Sequence, residues 1–205
     1  MRILAALAAC LVLVSCSSRQ ITATDIQGSE HAYQLRAFKL TSLVSWDLAG
    51  KLSIDDGQDG GSGRLNWEVR EARSHMSFRG TLGKGSWQLT SGSGFAELEK
   101  SDGSITRAAD VNDLIEQELG WFVPVDSLKW WALGVAAPGT PESMVLDGSG
   151  RILAMQQDGW DISYRRYRKF DGVELPARMD AVNGRYRLKI AVSDWKIQHA
   201  EVSDG

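Results

Sequence analysis

Cysteine occurs twice in the 205 residues, at Cys10 and Cys16, and both thiols lie close to an apolar N-terminal stretch. A thiol can serve redox, metal-binding or acyl chemistry. The other reactive side chains narrow that choice. His31, His75 and His199 are scattered without metal-ligand spacing. No Gly-x-Ser-x-Gly elbow is present to expose a serine nucleophile. Asp55 and Asp56 precede Gly57 in a turn, where solvation explains them, and Asp110, Asp113 and Glu116 suit a helix cap and first-turn charges. The run Gly80-x-x-Gly83-x-Gly85 reverses the usual dinucleotide order and sits between two strands rather than between strand and helix. Catalysis, metals and cofactors are therefore not expected, and the setting of the cysteines suggests attachment of lipid.

The residues around Cys16 support it. Arg2 is followed by the apolar run Ile3 to Val14, then by a polar stretch, the order of a secretory signal. Twelve residues are too few for the ~20 of a membrane-spanning helix. Leu13-Val14-Ser15-Cys16 resembles the lipobox of bacterial lipoproteins, with Leu at −3 and Ser at −1. In that class the thiol is diacylated, the peptide is cut before Cys, and the new amine is acylated. Leu7-Ala8-Ala9-Cys10 fits the same pattern but would leave a shorter apolar core, so Cys16 is the expected lipidation site. Ser17 at +2 points outward, since Asp there marks inner-membrane retention in enterobacterial lipoproteins. Residues 1–15 are thus read as a signal peptide, 16–30 as a lipid-anchored tether and 31–205 as one domain.

Composition bounds that domain. About 190 residues can build one sizeable core, and with Cys16 as the sole remaining cysteine no internal disulfide is expected. The whole chain has 23 basic and 26 acidic residues, net −3; without Arg2 it is 22 minus 26, or −4. No strongly basic balance marks a nucleic-acid binder. Eight tryptophans supply large rings for a core or a greasy pocket.

Periodicity supplies the elements that position those rings. Leu35 and Phe38, with Ala37 and Val44, suggest an amphipathic helix over 31–43. Period two follows: Trp46, Leu48, Gly50, Leu52 and Ile54; then, past the turn 55–61, Leu65, Trp67 and Val69; then Met76 and Phe78. A glycine-rich tip leads to Trp87 and Leu89, then Ala96 and Leu98, then Asp102-Gly103 and Ile105. Asp110 looks like an N-cap for a helix carrying Leu114, Ile115 and Leu119, stopped by Gly120. A second helix follows Pro124, with Asp126 as its candidate cap, Leu128 and Trp131 inward, and Gly134 as its end. Strands resume with Leu153 and Met155, with Trp160, Ile162 and Tyr164, with Val173, Leu175 and Pro176 as a candidate edge, and with Leu188, Ile190 and Val192 running on to Trp195 and Ile197. The expected fold is mainly β: one curved antiparallel sheet of about 10–11 strands with a few helices on its apolar side. Periodicity cannot say whether those helices complete a solid core or cover a cavity, because both want the same inward residues.

The stretch Leu119-Gly120-Trp121-Phe122-Val123-Pro124-Val125-Asp126-Ser127-Leu128-Lys129-Trp130-Trp131-Ala132-Leu133-Gly134 resembles the signature of LolB, the outer-membrane lipoprotein receptor family. Gly50-Lys51-Leu52, Trp67 and Arg187-Leu188-Lys189-Ile190 to Trp195 agree in order, so the resemblance covers about residues 31–197. It implies an unclosed β-barrel whose helices cover an apolar cavity for the acyl chains of other lipoproteins. The cavity candidates are Trp46, Leu48, Leu52, Leu65, Trp67, Phe78, Trp87, Leu128, Trp131, Trp160, Ile162, Tyr164, Leu188 and Ile190. It also implies a monomer that takes cargo from a soluble periplasmic carrier, LolA, and inserts it into outer-membrane phospholipid without nucleotide. Each buried CH₂ is worth ~0.8 kcal/mol, so such chains need shelter in transit.

In the family a protruding apolar residue on the loop matching Gly80–Gly85 enters the membrane. Leu82 falls there with Gly83 and Lys84, and Thr81 stands where the family often has Pro. Read by itself, one exposed Leu is ordinary. Arg165, Arg166, Arg168 and Lys169 cluster around Tyr164 and Tyr167, either as a solvated face or as a surface for an acidic partner or headgroups. Two rivals to the receptor reading stand: a scaffold lipoprotein with a filled core, and a carrier of other lipids.

Overall fold

In the computed structural model, residues 23–43, 45–81 and 85–198 are described. Cys10, Cys16, Ser17, Val44, Leu82, Gly83, Lys84 and His199 lie outside them. The first strand, β1 (Ser45–Asp55), buries every second residue from Trp46 to Ile54, as its period demands. Gly50 is part of that inward set for a steric reason. A Cβ there would lie 2.4 Å from the Ala191 carbonyl oxygen, where the facing strand slips register.

Hairpins extend the sheet on both sides. On one side follow β2 (Gly60–Arg70), β3 (Arg73–Gly80), β4 (Trp87–Gly92), β5 (Phe95–Lys100) and β6 (Ile105–Ala108). On the other lie β11 (Tyr186–Gln198), β10 (Val173–Asn183), β9 (Trp160–Phe170), β8 (Ile152–Gln157) and β7 (Ser143–Leu146). The result is one eleven-stranded sheet in the order β6-β5-β4-β3-β2-β1-β11-β10-β9-β8-β7, antiparallel throughout and not closed between β6 and β7. Its apolar face holds the core, and the described residues add three helices: α1 (Ala23–Thr41), α2 (Val111–Leu119) and α3 (Val125–Leu133).

The structure corrects several expectations. Helix α1 begins at Ala23, within the stretch read as tether. Leu35 and Phe38 do not face inward; they are 61% and 79% exposed. The stripe that packs on the core is Tyr33, Ala37 and Leu40, spaced i, i+4, i+7, and Leu35 and Phe38 fall on the other side of that helical turn. The strand carrying Pro176 is not an edge: β10 lies between β9 and β11, and the proline is tolerated because the register slips between Pro176 and Arg178. Leu153 is 43% exposed, and the inward partner of Met155 is Ile152, beside a register slip in the β7–β8 hairpin. Strand β7 is only four residues long, too short to announce itself by alternation.

The β7–β8 turn ties the sheet edge to α1. Gly150 sits at φ +74°, and a Cβ there would lie 2.3 Å from the Tyr33 backbone nitrogen. Asp147 holds the turn. Its carboxylate accepts from the Ser149 backbone at 2.9 Å, the Ser149 hydroxyl at 2.8 Å, and the Arg151 backbone and guanidinium at 3.0 and 2.6 Å. Partial burial raises its pKa, but the hydrogen bonds from Ser149 and Arg151 outweigh it and bring the value down to about 2. A depressed folded-state pKa contributes stability that is present above the ordinary carboxylate value and is lost as pH falls toward 2. Asp147→Asn should therefore flatten the acid limb of a stability–pH curve between about pH 4 and 2. An unchanged limb in urea titrations would remove Asp147 from acid unfolding.

Candidate functional site

All fourteen cavity candidates meet in one buried cluster, each no more than 6% exposed. Trp46 is central: its ring lies 5.2 Å from Trp67 and 5.2 Å from Trp195, both edge-on. Phe78 stacks on Trp87 at 5.3 Å, and Trp121, just past α2, meets both edge-on. Trp131 of α3 lies 6.3 Å from Trp160. Buried indoles need partners for their N–H groups. Trp67 donates to the Ser74 hydroxyl at 2.8 Å and Trp195 to the Pro176 carbonyl at 3.1 Å. The indole N–H groups of Trp87 and Trp160 have none among the described residues. In this arrangement the protein's own rings pack together in the interior, beneath the helices.

Helices α2 and α3 form that cover. Asp110 caps α2 as expected, accepting from the Asn112 and Asp113 backbone, and Gly120 ends it in the left-handed conformation. Lys100 of β5 pairs with Glu118 at 2.5 Å, holding α2 to the sheet. The expected cap of α3, Asp126, lies instead in its first turn; Pro124 is the N-cap residue and makes no side-chain bond. The orphan donor is met from α2, where the Asn112 side chain accepts from Val125 N at 2.8 Å.

Two polar residues not singled out from sequence fasten α3 and its exit to the strands. Gln157 of β8 is 2% exposed. Its carbonyl oxygen accepts from the Trp131 indole and from Ala137 N, both at 2.9 Å, and its amide donates to Ala137 O at 3.0 Å. Tyr33 of α1 accepts from Ala136 N at 3.1 Å, bringing α1 to the same segment. Tyr164, expected as a lining residue, also donates to Trp131 O at 2.8 Å, and burial pushes its hydroxyl pKa well up, so it stays a donor. The pair Gln156-Gln157 at a strand end reads as solvent-facing, and the only signal in the sequence is that Gln157 shares the alternation of Met155.

Two crevices open beside this cover. One, about 210 Å³, runs between the end of α1, Trp46, Val69 and the Trp130–Leu133 face of α3. The other, about 890 Å³, runs between α1 and the chain leading into β7, with Tyr33, Ala37, Ala137 and Met144 along it. Elsewhere, His31 is exposed, and His75 approaches the Thr90 hydroxyl at 3.0 Å. Among the described residues no group of three or more His, Cys, Asp or Glu side chains converges on a metal-sized site, and no helix is long and apolar enough to cross a membrane.

An unclosed antiparallel half-barrel with an apolar interior under two short helices defines the class. Residues 44–195 match the family described as outer membrane lipoprotein LolB, and the chain belongs to that family. It is 33% identical over 174 residues to the outer-membrane lipoprotein LolB of Pseudomonas paraeruginosa, covering 85% of each chain. It is 35% identical over 173 residues to that of Pseudomonas putida strain W619, covering 83% of this chain and 84% of the relative. Among solved structures, a DUF1329 family protein of Desulfovibrio piger shares the fold at TM-score 0.52, with 11% identity over 87% of this chain and 95% of that one.

Proposed function

We propose that this chain is an outer-membrane lipoprotein, anchored through acylated Cys16, that receives other lipoproteins from a LolA-like periplasmic carrier and incorporates them into the membrane. One observation carries the reading: fourteen apolar side chains from seven strands and helices gather under a cover held down by Gln157, Tyr164 and a few pairs. Such an interior can exchange its own ring contacts for acyl chains once α3 lifts, because apolar burial is non-directional. Cargo then moves toward the bilayer, which shelters the chains more completely. Leu82, with Gly83 and Lys84, is the proposed membrane-entering tip. The packed Trp46–Trp67–Trp195 cluster is the observation that favours the rival, a scaffold lipoprotein with a filled core.

Transfer separates the two. A soluble form, residues 17–205, is mixed with carrier loaded with radiolabelled lipoprotein, then with liposomes. It retains every buried hydrophobic of the core, which runs from Leu40 to Trp195. Label should pass to the protein and on to liposomes, and Leu82→Glu should accept label but lose onward delivery, because a carboxylate does not enter hydrocarbon. If no label leaves a competent carrier, the scaffold reading replaces this one.

A further inference from the structure

The convex face of the sheet carries a row of cations that the interior does not explain. The strand registers align Arg79 on β3 with Arg64 on β2, Arg64 with Lys51 on β1, Lys51 with Ala191 on β11, Ala191 with Arg178 on β10, and Arg178 with Arg166 on β9. Six adjacent strands thus hold five basic residues in one lateral line of about 24 Å, at ~4.8 Å per strand. All five are exposed and lie opposite the core. Like charges directly opposite one another on neighbouring strands are destabilising, and three of the pairings are of that kind.

No ion pair neutralises the row among the described residues, whereas Arg70, Arg107, Arg151 and Arg165 are paired. The same-face neighbours along the strands are mostly small and neutral: Ala49 and Ser53 beside Lys51, Ser62 and Asn66 beside Arg64. The carboxylate next to Arg178, Asp180, is engaged by Arg165. In a chain of net charge −3 this is a segregated cationic band. At its β3 end a polar groove of about 480 Å³ is lined by Arg64, Arg79, Ser77, Gln88, Lys100 and one carboxylate, Glu99.

We propose that this row docks on anionic phospholipid headgroups, laying the convex face of the barrel against the membrane. Charge complementarity selects an anionic surface. The shape and chemistry of the row select lipid over a protein partner. It runs across the outward face of the sheet, and none of the exposed large hydrophobics belongs to it, so it lacks the apolar anchors that protein interfaces use. Mobile headgroups can gather under a line of charges without such anchors. The surface is separate from the cargo interior, so this inference does not depend on the transfer reading.

The test is flotation of residues 17–205 with phosphatidylglycerol-containing vesicles against phosphatidylcholine vesicles. Binding should appear with the anionic vesicles alone and fall away at high salt. Each neutralised row residue should weaken it about fivefold, so Lys51→Gln/Arg64→Gln/Arg178→Gln should lose roughly a hundredfold. Removing like-charge neighbours should leave the circular dichroism spectrum intact and the melting point no lower. Equal binding to both vesicles, equal binding by the triple variant, or the same loss from Lys39→Gln/Arg73→Gln/Arg107→Gln off the row overturns the proposal. So does binding of a purified acidic carrier through the row without vesicle binding. Cargo transfer is not read in this assay, so its outcome and that of the transfer test are independent.

Discussion

Trp46→Ala is expected to lower the unfolding free energy by about 3–5 kcal/mol, the range for deleting a large buried ring. Trp46 is 2% exposed, stands on the first strand beside Leu48, and is edge-on to two other indoles. Removing it deletes both ring pairs, each worth about 0.5–1.5 kcal/mol beyond area, and leaves a void that three neighbouring strands cannot close. The urea midpoint should shift with an unchanged slope. Trp130, half-buried at the rim of the crevice beside α3, is the contrast, and its alanine variant should cost far less. A loss under about 1 kcal/mol for Trp46→Ala would mean that the interior relaxes easily around the missing ring, and the filled-core description would be wrong.

Gln157→Leu should have the second-largest effect and a different signature. It strands two donors, the Trp131 indole N–H and Ala137 N–H, and one acceptor, Ala137 O, in a site with almost no water access. At about 1–3 kcal/mol per unsatisfied buried group the cost is about 3 kcal/mol or more. The loss is local. Amide exchange over 125–137 should accelerate about a hundredfold, which is what 3 kcal/mol amounts to, while β1, β2 and β11 keep their protection. Uniform acceleration across the sheet would instead make Gln157 part of the global core and deny α3 a separate opening. In transfer assays the loosened cover should change the rate at which label enters, so this variant also tests whether α3 gates the interior.

Much of this architecture was legible in the residues. A period of two makes one face of each strand apolar, so β1, β2, β9 and β11 were visible from Trp46, Leu65, Trp160 and Leu188 outward. Asp110 and Gly120 bracketed α2 because caps depend on local backbone chemistry. Where the sequence misled, a non-local cause was at work. The face of α1 was misassigned because Leu35 and Phe38 are more hydrophobic than Tyr33 and Ala37, and only docking against Gly150 and Ala136 decides which stripe turns inward. Pro176 reads as an edge residue until a register slip places it in the middle of the sheet.

Taken by itself, the sequence determined the half-barrel's strand alternation, both caps of α2 and the C-cap of α3, the lipobox-like run at Cys16 and membership of a family, because each depends on residues close together in the chain. The tertiary structure alone decided the rest. Gln157 becomes a latch only when β8 meets the exit of α3, twenty residues away at Ala137. Arg79, Arg64, Lys51, Arg178 and Arg166 become one row only through five strand registers. Pairing between distant strands sets those neighbours, and register carries no local signature that a reading along the chain can detect.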